Sequence, residues 1–331
     1  MSGAIPPVGV IGAGHWGKNH LRNFAALGAL AAFADADAAT VSGLAATYPN
    51  AKTFVGGEKL IDSGIVKAVV IASPAVTHGA LARRALEAGL HVFVEKPLCL
   101  DVAEAESLRD LANRNGRVLM VGHLLLYHPA FLAMKRLVDT GVLGDLRYIY
   151  SNRLSLGKIR REENALWSFA PHDISMILAL TGQLPSKVVA TGGHYLDSKV
   201  ADTTLSHLTF TTGVQAHVFV SWLHPYKDHR MVVVGSKAMA VFDDTRKLAE
   251  KVQLYRHGVG WNEDLPVVSR AEAEPVAIED TEPLRVECET FLKCVATGSR
   301  PTSDAEEGIR VLRVLDACQR AIAAGAAVKL S

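Results

Sequence analysis

The first 122 residues alternate between short apolar runs and amphipathic segments of helix length, which limits the fold more than any other feature. The apolar runs cover residues 8–11, 29–34, 67–72, 91–94 and 117–121, and the amphipathic segments cover residues 18–27, 79–88 and 102–113. Strands that are apolar throughout are typical of a parallel sheet with helices on both faces, and Asp101 is placed to cap the last helix. We therefore predict an α/β domain with a doubly wound parallel sheet at residues 1–122.

The pattern changes at residue 123 and predicts a second domain at residues 123–331. A helical segment at 131–139 precedes long β-like stretches at 145–154, 186–194, 203–222 and 230–242, and two helices at 284–296 and 304–323 follow them. Thr211-Thr212-Gly213 is a predicted hairpin turn, so the strands beside it are expected to be antiparallel. We expect an α+β domain with an open, mostly antiparallel sheet that binds substrate and offers a face for a homodimer or homotetramer.

The balance of charge excludes several partner classes. The chain has 35 Lys and Arg residues against 34 Asp and Glu residues, so no charge excess indicates nucleic acid or an anionic membrane surface. No apolar run approaches the roughly 20 residues that span a bilayer, and the amino terminus lacks a signal-peptide pattern. Cytoplasmic residence is therefore expected. The four cysteines and the histidines show no metal-ligand spacing, so no metal is predicted.

A glycine-rich turn joins the first strand to the first helix. In Gly12-Ala13-Gly14-His15-Trp16-Gly17, Gly12 can make the turn, Gly14 can let a diphosphate approach the backbone, and Gly17 can let helix and strand pack closely. The free N–H groups of the helix amino terminus would face the phosphates, with His15 and Trp16 beside them. This order predicts a Rossmann domain that binds a dinucleotide.

An acidic residue at the end of the second strand selects between the two nicotinamide dinucleotides. Asp35 lies eighteen residues past Gly17, where a carboxylate binds the adenosine ribose hydroxyls. The sequence Asp35-Ala36-Asp37 contains no Lys or Arg for a 2′-phosphate and would repel one. We therefore predict NAD rather than NADP.

Two charged residues directly follow the buried strand at 91–94, in Glu95-Lys96-Pro97. Charges are costly inside a protein, but at the carboxyl end of a parallel strand they emerge into the crevice where ligands bind. Lys96 could there donate a hydrogen bond to a substrate hydroxyl. The alternative is a surface ion pair in a loop.

These motifs together resemble the Gfo/Idh/MocA family of glucose–fructose oxidoreductase and inositol dehydrogenase. The shared features are the glycine turn, Ser73-Pro74 with Thr77-His78, Glu95-Lys96-Pro97 and the change to an open-sheet domain, and they span essentially the whole chain. The resemblance implies that nicotinamide lies between the two domains and that Ser73, Pro74, His78, Glu95 and Lys96 lie around the cofactor. It also implies that the motif lysine contacts the hydroxyl being oxidised and that a helix histidine acts as base. The matching residues are Lys96 and His172.

His172 follows a proline and precedes the apolar residues 174–180, so we expect it at the head of a helix. A helix amino terminus disfavours the protonated ring, and a neutral imidazole suits a general base. The alternative is a helix cap or a buried, hydrogen-bonded histidine. Many family members carry Asp four residues before and three residues after this histidine, where this chain has Ser168 and Ser175. Whether Asp173 or Ser168 supports His172 stays open.

The segment from Trp167 to Ser175 is similar to family members that act on nucleotide sugars, in particular UDP-N-acetylglucosamine 3-dehydrogenases. Those enzymes precede a pyridoxal-phosphate aminotransferase in making 2,3-diamino sugars for lipid A of lipopolysaccharide. A basic stretch before the histidine helix could bind a diphosphate, or be a solvated loop; it comprises Arg153, Lys158, Arg160 and Arg161. Further residues expected at the substrate are His123, Tyr127, Asn164, Trp167 and Asp173, with domain packing as the alternative for His123 and Tyr127.

The combined prediction is an NAD-dependent dehydrogenase that oxidises a sugar ring hydroxyl, with His172 as base and Lys96 as hydrogen-bond donor. The expected substrate is UDP-N-acetylglucosamine at C3. The alternatives are another sugar, such as UDP-N-acetylglucosaminuronate, a hexose or an inositol, and an inactive NAD-binding sensor.

Overall fold

The computed structural model describes residues 5–157, 159–161 and 163–330. These residues form two compact units. The first contains the chain up to Tyr127 together with Glu282–Leu312, and the second contains His128–Thr281 together with the segment from Arg313 onward.

The first unit is built on a six-stranded parallel sheet with the strand order β3-β2-β1-β4-β5-β6. Its elements up to residue 127 are β1 (Val8–Ile11), α1 (His15–Ala26), β2 (Leu30–Asp35), α2 (Ala38–Ala45), β3 (Lys52–Val55), α3 (Gly57–Ile61), β4 (Ala68–Ile71), α4 (His78–Glu87), β5 (His91–Glu95), α5 (Val102–Arg114) and β6 (Leu119–Gly122), with short 3-10 helices at Ala75–Thr77 and Leu124–Tyr127. The predicted doubly wound parallel sheet is confirmed. Asp101 caps α5, where its carboxylate accepts a hydrogen bond from the Glu104 N–H.

The second unit contains a nine-stranded sheet with the order β16-β13-β12-β11-β7-β10-β9-β8-β17. The remaining elements of the chain are α6 (Pro129–Asp139), β7 (Leu146–Leu154), α7 (Ala165–Thr181), β8 (Lys187–Gly193), β9 (Thr203–Thr209), β10 (Gln215–Ser221), β11 (Asp228–Gly235), β12 (Met239–Asp243), β13 (Val252–Tyr255), β14 (Gly258–Asn262), β15 (Leu265–Ser269), β16 (Ala273–Pro275), α8 (Pro283–Thr297), α9 (Ala305–Ala324) and β17 (Val328–Lys329). The central β7 and β10 are parallel, and the other pairs are antiparallel.

Two of the predicted β stretches each form a pair of antiparallel strands. β9 and β10 flank the predicted turn, where Gly213 has a φ of 88°. Residues 230–242 form β11 and β12 rather than one strand. The mostly antiparallel sheet predicted for the second domain is confirmed.

Helix α8 belongs to the first unit, which differs from the predicted division at residues 122 and 123. Its buried residues follow helical spacing and include Leu284, Cys288 and Phe291. The Phe291 ring lies 5.5 Å from that of Phe93 on β5, measured between ring centroids. The chain returns to the first unit because the apolar stripe of α8 is buried there, a contact that contiguous sequence does not reveal.

Helix α7 begins at Ala165, so the predicted position of His172 at a helix head is wrong. Asn164 caps the helix by accepting a hydrogen bond from the Trp167 N–H at 3.1 Å, and Pro171 lies inside it. Because proline is typical of a first helical turn, Pro171 led to a predicted helix start that is too late in the chain. His172 therefore lies in the middle of α7, and the argument from the helix dipole does not apply to it. Among the described residues, no helix has the length and apolarity needed to cross a membrane.

Candidate functional site

The glycine turn between β1 and α1 is closed by tight packing. A Cβ at Gly12, where φ is 89°, would lie 2.6 Å from the Ser73 backbone nitrogen, and one at Gly17 would lie 1.8 Å from the Gly12 carbonyl oxygen. A Cβ at Gly14 would meet no atom of the described chain within 4 Å. Gly12 and Gly17 thus exclude side chains, while Gly14 borders open space at the amino terminus of α1. This geometry fits the predicted approach of a diphosphate.

Both residues between the last two glycines are exposed and lie on the first turn of α1. Trp16 is 41% exposed, and its ring meets that of His15 edge to face at 6.4 Å between centroids. Their predicted contact with a cofactor stays a prediction.

Asp35, at the end of β2, is bonded to the glycine turn. Its Oδ2 accepts a hydrogen bond from the Ala13 N–H at 2.7 Å, and its Oδ1 accepts one from the Asp37 N–H at 2.9 Å. A carboxylate oxygen accepts more than one hydrogen bond, so both atoms can still receive ribose hydroxyls. Asp37 caps α2, and the hydrogen bond from the Thr40 hydroxyl is the largest cause that lowers the pKa of its carboxyl. Two carboxylates therefore stand here, which fits NAD better than NADP.

His78 lies behind two loops at the carboxyl ends of the strands. It is 1% exposed, and its ring nitrogens lie 2.7 Å from the Pro97 carbonyl oxygen and 2.8 Å from that of Ser73. The Ser73 hydroxyl is hydrogen-bonded to that of Thr77 at 2.7 Å. His78 thus joins the loop after β4 to the loop after β5, and both its nitrogens face protein carbonyls. This geometry supports the loops and offers no ring nitrogen to a cofactor; Ser73 and Pro74 remain predicted contacts.

Glu95 ends β5 as a largely buried carboxylate next to Lys96. The His20 Nε2 lies 2.7 Å from Glu95 Oε1, and the Lys96 N–H donates to Glu95 Oε2 at 3.3 Å. Burial would raise the pKa of Glu95, but the hydrogen bond from His20 and the nearby positive charges outweigh burial and hold the pKa below its ordinary value. The alternative of a surface ion pair does not fit, because the Glu95 side chain is 14% exposed and that of His20 is fully buried.

His123 and Tyr127 are buried and bonded within the first unit. His123 Nδ1 pairs with Glu307, and the Tyr127 hydroxyl lies 2.9 Å from the Ser303 hydroxyl. Burial raises the pKa of Tyr127 well above its ordinary value. These contacts match the packing alternative, and the sugar contacts of both residues stay predictions.

In the second unit, Arg153 on β7 forms a buried ion pair with Asp173 on α7. The guanidinium donates two hydrogen bonds, from Nε to Oδ2 at 2.7 Å and from Nη2 to Oδ1 at 3.2 Å, and the Ser151 hydroxyl donates to Oδ1 at 2.5 Å. Asp173 therefore faces the sheet, because its three hydrogen bonds come from Ser151 and Arg153 on β7. Asp173 is 1% exposed and Arg153 8% exposed. Neither is a free charge for a substrate.

The basic stretch predicted to bind a diphosphate is therefore largely paired. Arg160 Nε lies 3.1 Å from the Glu163 carboxylate, and Arg153 is neutralised by Asp173. Lys158 lies outside the described residues. The sequence analysis counted Arg153 as one of four cations that could bind a diphosphate. Because Arg153 is paired with Asp173, it cannot be counted as a phosphate ligand.

Hydrogen bonds of Asn164, Trp167 and Ser175 hold α7, the helix that carries His172, in place. The side-chain oxygen Oε1 of Gln319 on α9 accepts hydrogen bonds from Asn164 Nδ2 at 2.8 Å and Trp167 Nε1 at 3.3 Å. The Ser175 hydroxyl donates to the His172 carbonyl oxygen at 2.8 Å. His172 belongs to the second unit and Lys96 to the first, so their joint action stays a prediction.

The buried titratable residues that sequence reasoning missed include His20 and Glu287. Each had a usable signal. His20 lies three residues past Gly17 on the buried face of α1, and Glu287 lies between Leu284 and Phe291 in the apolar stripe of α8. A titratable side chain at a core position of an amphipathic helix calls for a partner or a function. Within the described residues, no group of three or more His, Cys, Asp or Glu side chains could hold a metal ion.

The parallel sheet, the glycine turn and the ribose-side carboxylate define an NAD-binding oxidoreductase of the Rossmann type. The chain belongs to the Gfo/Idh/MocA family: the model of its oxidoreductase domain with an NAD-binding Rossmann fold matches residues 7–123, and the model of its C-terminal domain matches residues 131–241.

The chain is similar to characterised dehydrogenases over nearly its full length. It is 32% identical to UDP-N-acetylglucosamine 3-dehydrogenase of Acidithiobacillus ferrooxidans, over 92% of this chain and 93% of the relative. It is 27% identical to inositol 2-dehydrogenase of Rhizobium meliloti, over 95% of this chain and 96% of the relative. The solved structure of UDP-N-acetylglucosamine 3-dehydrogenase GnnA from A. ferrooxidans has a TM-score of 0.85 at 30% identity, and the match covers 96% of this chain and 98% of that one. The chain is thus an NAD-binding oxidoreductase whose relatives are sugar and polyol dehydrogenases.

Proposed function

We propose that the protein oxidises a ring hydroxyl of a nucleotide sugar, C3 of UDP-N-acetylglucosamine, to a ketone. The observation that carries the proposal is the 32% identity to a UDP-N-acetylglucosamine 3-dehydrogenase over more than nine-tenths of both chains. The similarity of the two folds over nearly their full length supports it.

The glycine turn and Asp35 are the groups that would hold NAD. Gly14 has no side chain and borders open space, so a diphosphate can reach the amino terminus of α1. The Asp35 carboxylate can accept hydrogen bonds from the ribose hydroxyls. Bound NAD supplies a hydride acceptor at its nicotinamide ring.

Lys96 and His172 are the residues that we assign to the reacting hydroxyl. The Lys96 ammonium, at the carboxyl end of β5 and beside the Glu95 carboxylate, donates a hydrogen bond to the hydroxyl oxygen and stabilises the negative charge that develops there. The His172 imidazole accepts the hydroxyl proton. Asp173 is bonded to Arg153 and is no part of this proton transfer.

A 3-keto sugar is a substrate for amino transfer, so we propose a pyridoxal-phosphate aminotransferase as the functional partner and 2,3-diamino sugars of lipid A as the destination. We also propose a cytoplasmic homodimer or homotetramer. The nine-stranded sheet supports an oligomer, because Val189 on β8 and Leu205 on β9 are 40% and 47% exposed on its open side.

Oxidation of an inositol or another uncharged polyol is the second candidate. The similarity to inositol 2-dehydrogenase supports it, and so does the pairing of Arg153 with Asp173, which removes a cation from the phosphate-binding hypothesis.

A panel of substrates separates the two candidates. The protein is incubated with NAD and, in turn, UDP-N-acetylglucosamine, UDP-N-acetylglucosaminuronate, glucose and myo-inositol, while NADH absorbance is followed and any ketone is trapped by coupled transamination. We expect NADH formation with UDP-N-acetylglucosamine and an amino sugar aminated at C3. NADH formation only with myo-inositol or glucose would overturn the nucleotide-sugar proposal, and NAD binding without turnover on any sugar would favour an inactive sensor.

A further inference from the structure

His20 is a fully buried histidine that is bonded to the residue before Lys96. It lies on α1, and its Nε2 is 2.7 Å from Oε1 of Glu95 at the end of β5. Although burial opposes it, the hydrogen bond from His20 keeps the pKa of Glu95 below its ordinary value, so this carboxylate is ionised at neutral pH. An ionised carboxylate only accepts hydrogen bonds. The Nε2 of His20 therefore carries a hydrogen and donates it to Glu95.

Three neighbours fix the His20 ring. Phe93 on β5 meets it edge to face with 5.2 Å between ring centroids, and Phe24 on α1 stacks on it at 6.3 Å. The Sγ of Cys288 on α8 lies 3.9 Å from Nδ1. A ring that is enclosed in a close-packed interior cannot turn away from Glu95 without a shift of its neighbours. The packing of α1, β5 and α8 thus sets the position of Nε2.

The Glu95 carboxylate is held at both oxygens. His20 donates to Oε1, and the Lys96 N–H donates to Oε2 at 3.3 Å. Gly122 on the neighbouring β6 makes room for the same oxygen, because a Cβ there would lie 3.0 Å from Oε2. The Glu95 side chain is 14% exposed, whereas that of His20 is fully buried. His20 thus supports, from the interior, a carboxylate that stands at the carboxyl end of the strands, where ligands bind in folds of this type.

The Glu95 carboxylate and the Lys96 ammonium attract each other. The charge of Lys96 is among the causes that lower the pKa of Glu95, after the hydrogen bond and the charge of His20. A carboxylate that turns fully onto an ammonium occupies N–H groups that a substrate hydroxyl would need. His20 holds Oε1 in the interior, so Oε2 is the oxygen that faces Lys96. The hydrogen bond from His20 therefore limits how closely the two charges can pair.

We propose that His20 is a positioning residue for the reaction: its hydrogen bond to Oε1 holds the Glu95 carboxylate in place and so keeps the Lys96 ammonium available to the substrate hydroxyl. The proposal rests on the role proposed above for Lys96. Because His20 is fully buried, it acts through Glu95 and not on the substrate. The alternative is a polar pair that only stabilises the core, and the two make different predictions for Lys96.

Two amide variants of His20 differ only in reach. The side-chain nitrogen of glutamine lies near the place of the imidazole Nε2, whereas that of the shorter asparagine lies near the place of Nδ1. H20Q can therefore keep the hydrogen bond to Glu95, and H20N cannot. H20F retains the ring and has no donor, which provides a second variant if H20N does not fold. N23A is the matched control, because Asn23 lies on the same helix, is 3% exposed and donates to the Asn19 carbonyl oxygen at 3.1 Å.

The reactivity of the Lys96 amine is measured without any sugar. The protein is labelled with limiting acetic anhydride at a fixed alkaline pH, and mass spectrometry compares the label on Lys96 with that on the surface residue Lys135. Only a deprotonated amine reacts, and a carboxylate that moves closer favours the protonated amine. We expect labelling of Lys96 to fall about threefold or more in H20N and H20F and to match the wild type in H20Q and N23A.

Glu95→Gln provides an independent test, since its amide has no charge that attracts Lys96. In protein that carries E95Q, addition of H20N should leave the labelling of Lys96 unchanged. With the sugar that the substrate panel identifies, H20N should lower kcat by about tenfold, and H20Q should restore it. The dissociation constant for NADH, measured by fluorescence, should change less than about twofold in both variants, because the glycine turn is unaltered.

Equal labelling of Lys96 in the wild type, H20Q, H20N and H20F would overturn the proposal and leave His20 a support of the core. A loss of labelling in N23A as large as that in H20N, or a loss that persists in protein with E95Q, would also overturn it. If Lys96 labelling changes as expected while no nucleotide sugar is oxidised, only the proposed function fails.

Discussion

The guanidinium of Arg153 donates two hydrogen bonds to the carboxylate of Asp173, and this pair links β7 to the helix that carries His172. Both side chains are almost fully buried. A buried ion pair with good geometry is strongly coupled, since the loss of one partner leaves the other charge without compensation. The pair is a structural support of the second unit rather than a site for phosphate.

Substitution of either partner should therefore destabilise the protein. Asp173→Asn and Arg153→Met should each lower the free energy of unfolding by about 3 to 5 kcal/mol, measured by urea denaturation. The double variant should lose less than the sum, because it buries no unpaired charge. The partly exposed pair of Arg160 and Glu163 is the control, and Arg160→Gln should change stability by less than about 1 kcal/mol. Additive losses would show that the two side chains do not interact.

His229 should make the stability of the second unit depend on pH. Burial, with the charge of Arg153 second, lowers the pKa of its ring to about 4 in the folded protein, from an ordinary value of 6.5. The unfolded chain therefore binds the proton first as pH falls, and stability conferred by the neutral ring is lost between pH 6.5 and about 4.

The expected loss for His229 is about 2 kcal/mol after allowance for solvent at this partly buried ring. It can be measured as the change in unfolding free energy across that window. His229→Asn should reduce the slope, whereas the exposed His194 provides a control in His194→Asn. A slope that His229→Asn leaves unchanged would assign the pH dependence to other groups.

Lys96→Met should abolish most of the dehydrogenase activity without loss of the fold. Removal of a donor that stabilises developing charge typically lowers kcat by about 10²- to 10³-fold, and His172→Gln should cost about 10²- to 10⁴-fold as loss of a general base. Steady-state kinetics measure the loss of kcat in each variant, and NADH fluorescence measures whether each variant still binds the cofactor. Lys135→Met, at a surface pair with Asp139, is the matched control. Near-normal turnover by Lys96→Met would remove Lys96 from the mechanism.

Asp35→Asn should weaken the preference for NAD over NADP. An asparagine oxygen can still accept the Ala13 N–H, whereas the charge that repels a 2′-phosphate is gone. We expect the ratio of kcat/KM values for NAD and NADP to fall by roughly tenfold, which corresponds to about 1.4 kcal/mol. Asp37→Asn tests the neighbouring cap of α2 and should mainly lower stability. Retention of the full preference in Asp35→Asn would assign selectivity to another residue.

Much of the first unit could be predicted because its information is local. An uninterrupted apolar run, a glycine turn and a following helix occur within twenty residues. Gly12 and Gly17 must be glycine, because a Cβ at either position would lie within 3 Å of backbone atoms. The edge strand β3 and the helices around it were not predicted. Residues 52–55 are mostly exposed, so they lack the apolar run on which the other strands were recognised.

The sequence by itself determined the three-layer plan of the first unit, the antiparallel character of the second sheet and the Lys96 motif, since each depends on residues close together in the chain. Only the tertiary structure decided which charges are free. Arg153 and Asp173 are twenty positions apart, and His20, Glu95 and Glu287 come from three elements. Whether a charge can bind a ligand depends on its burial and its partner, and both arise when distant segments pack together.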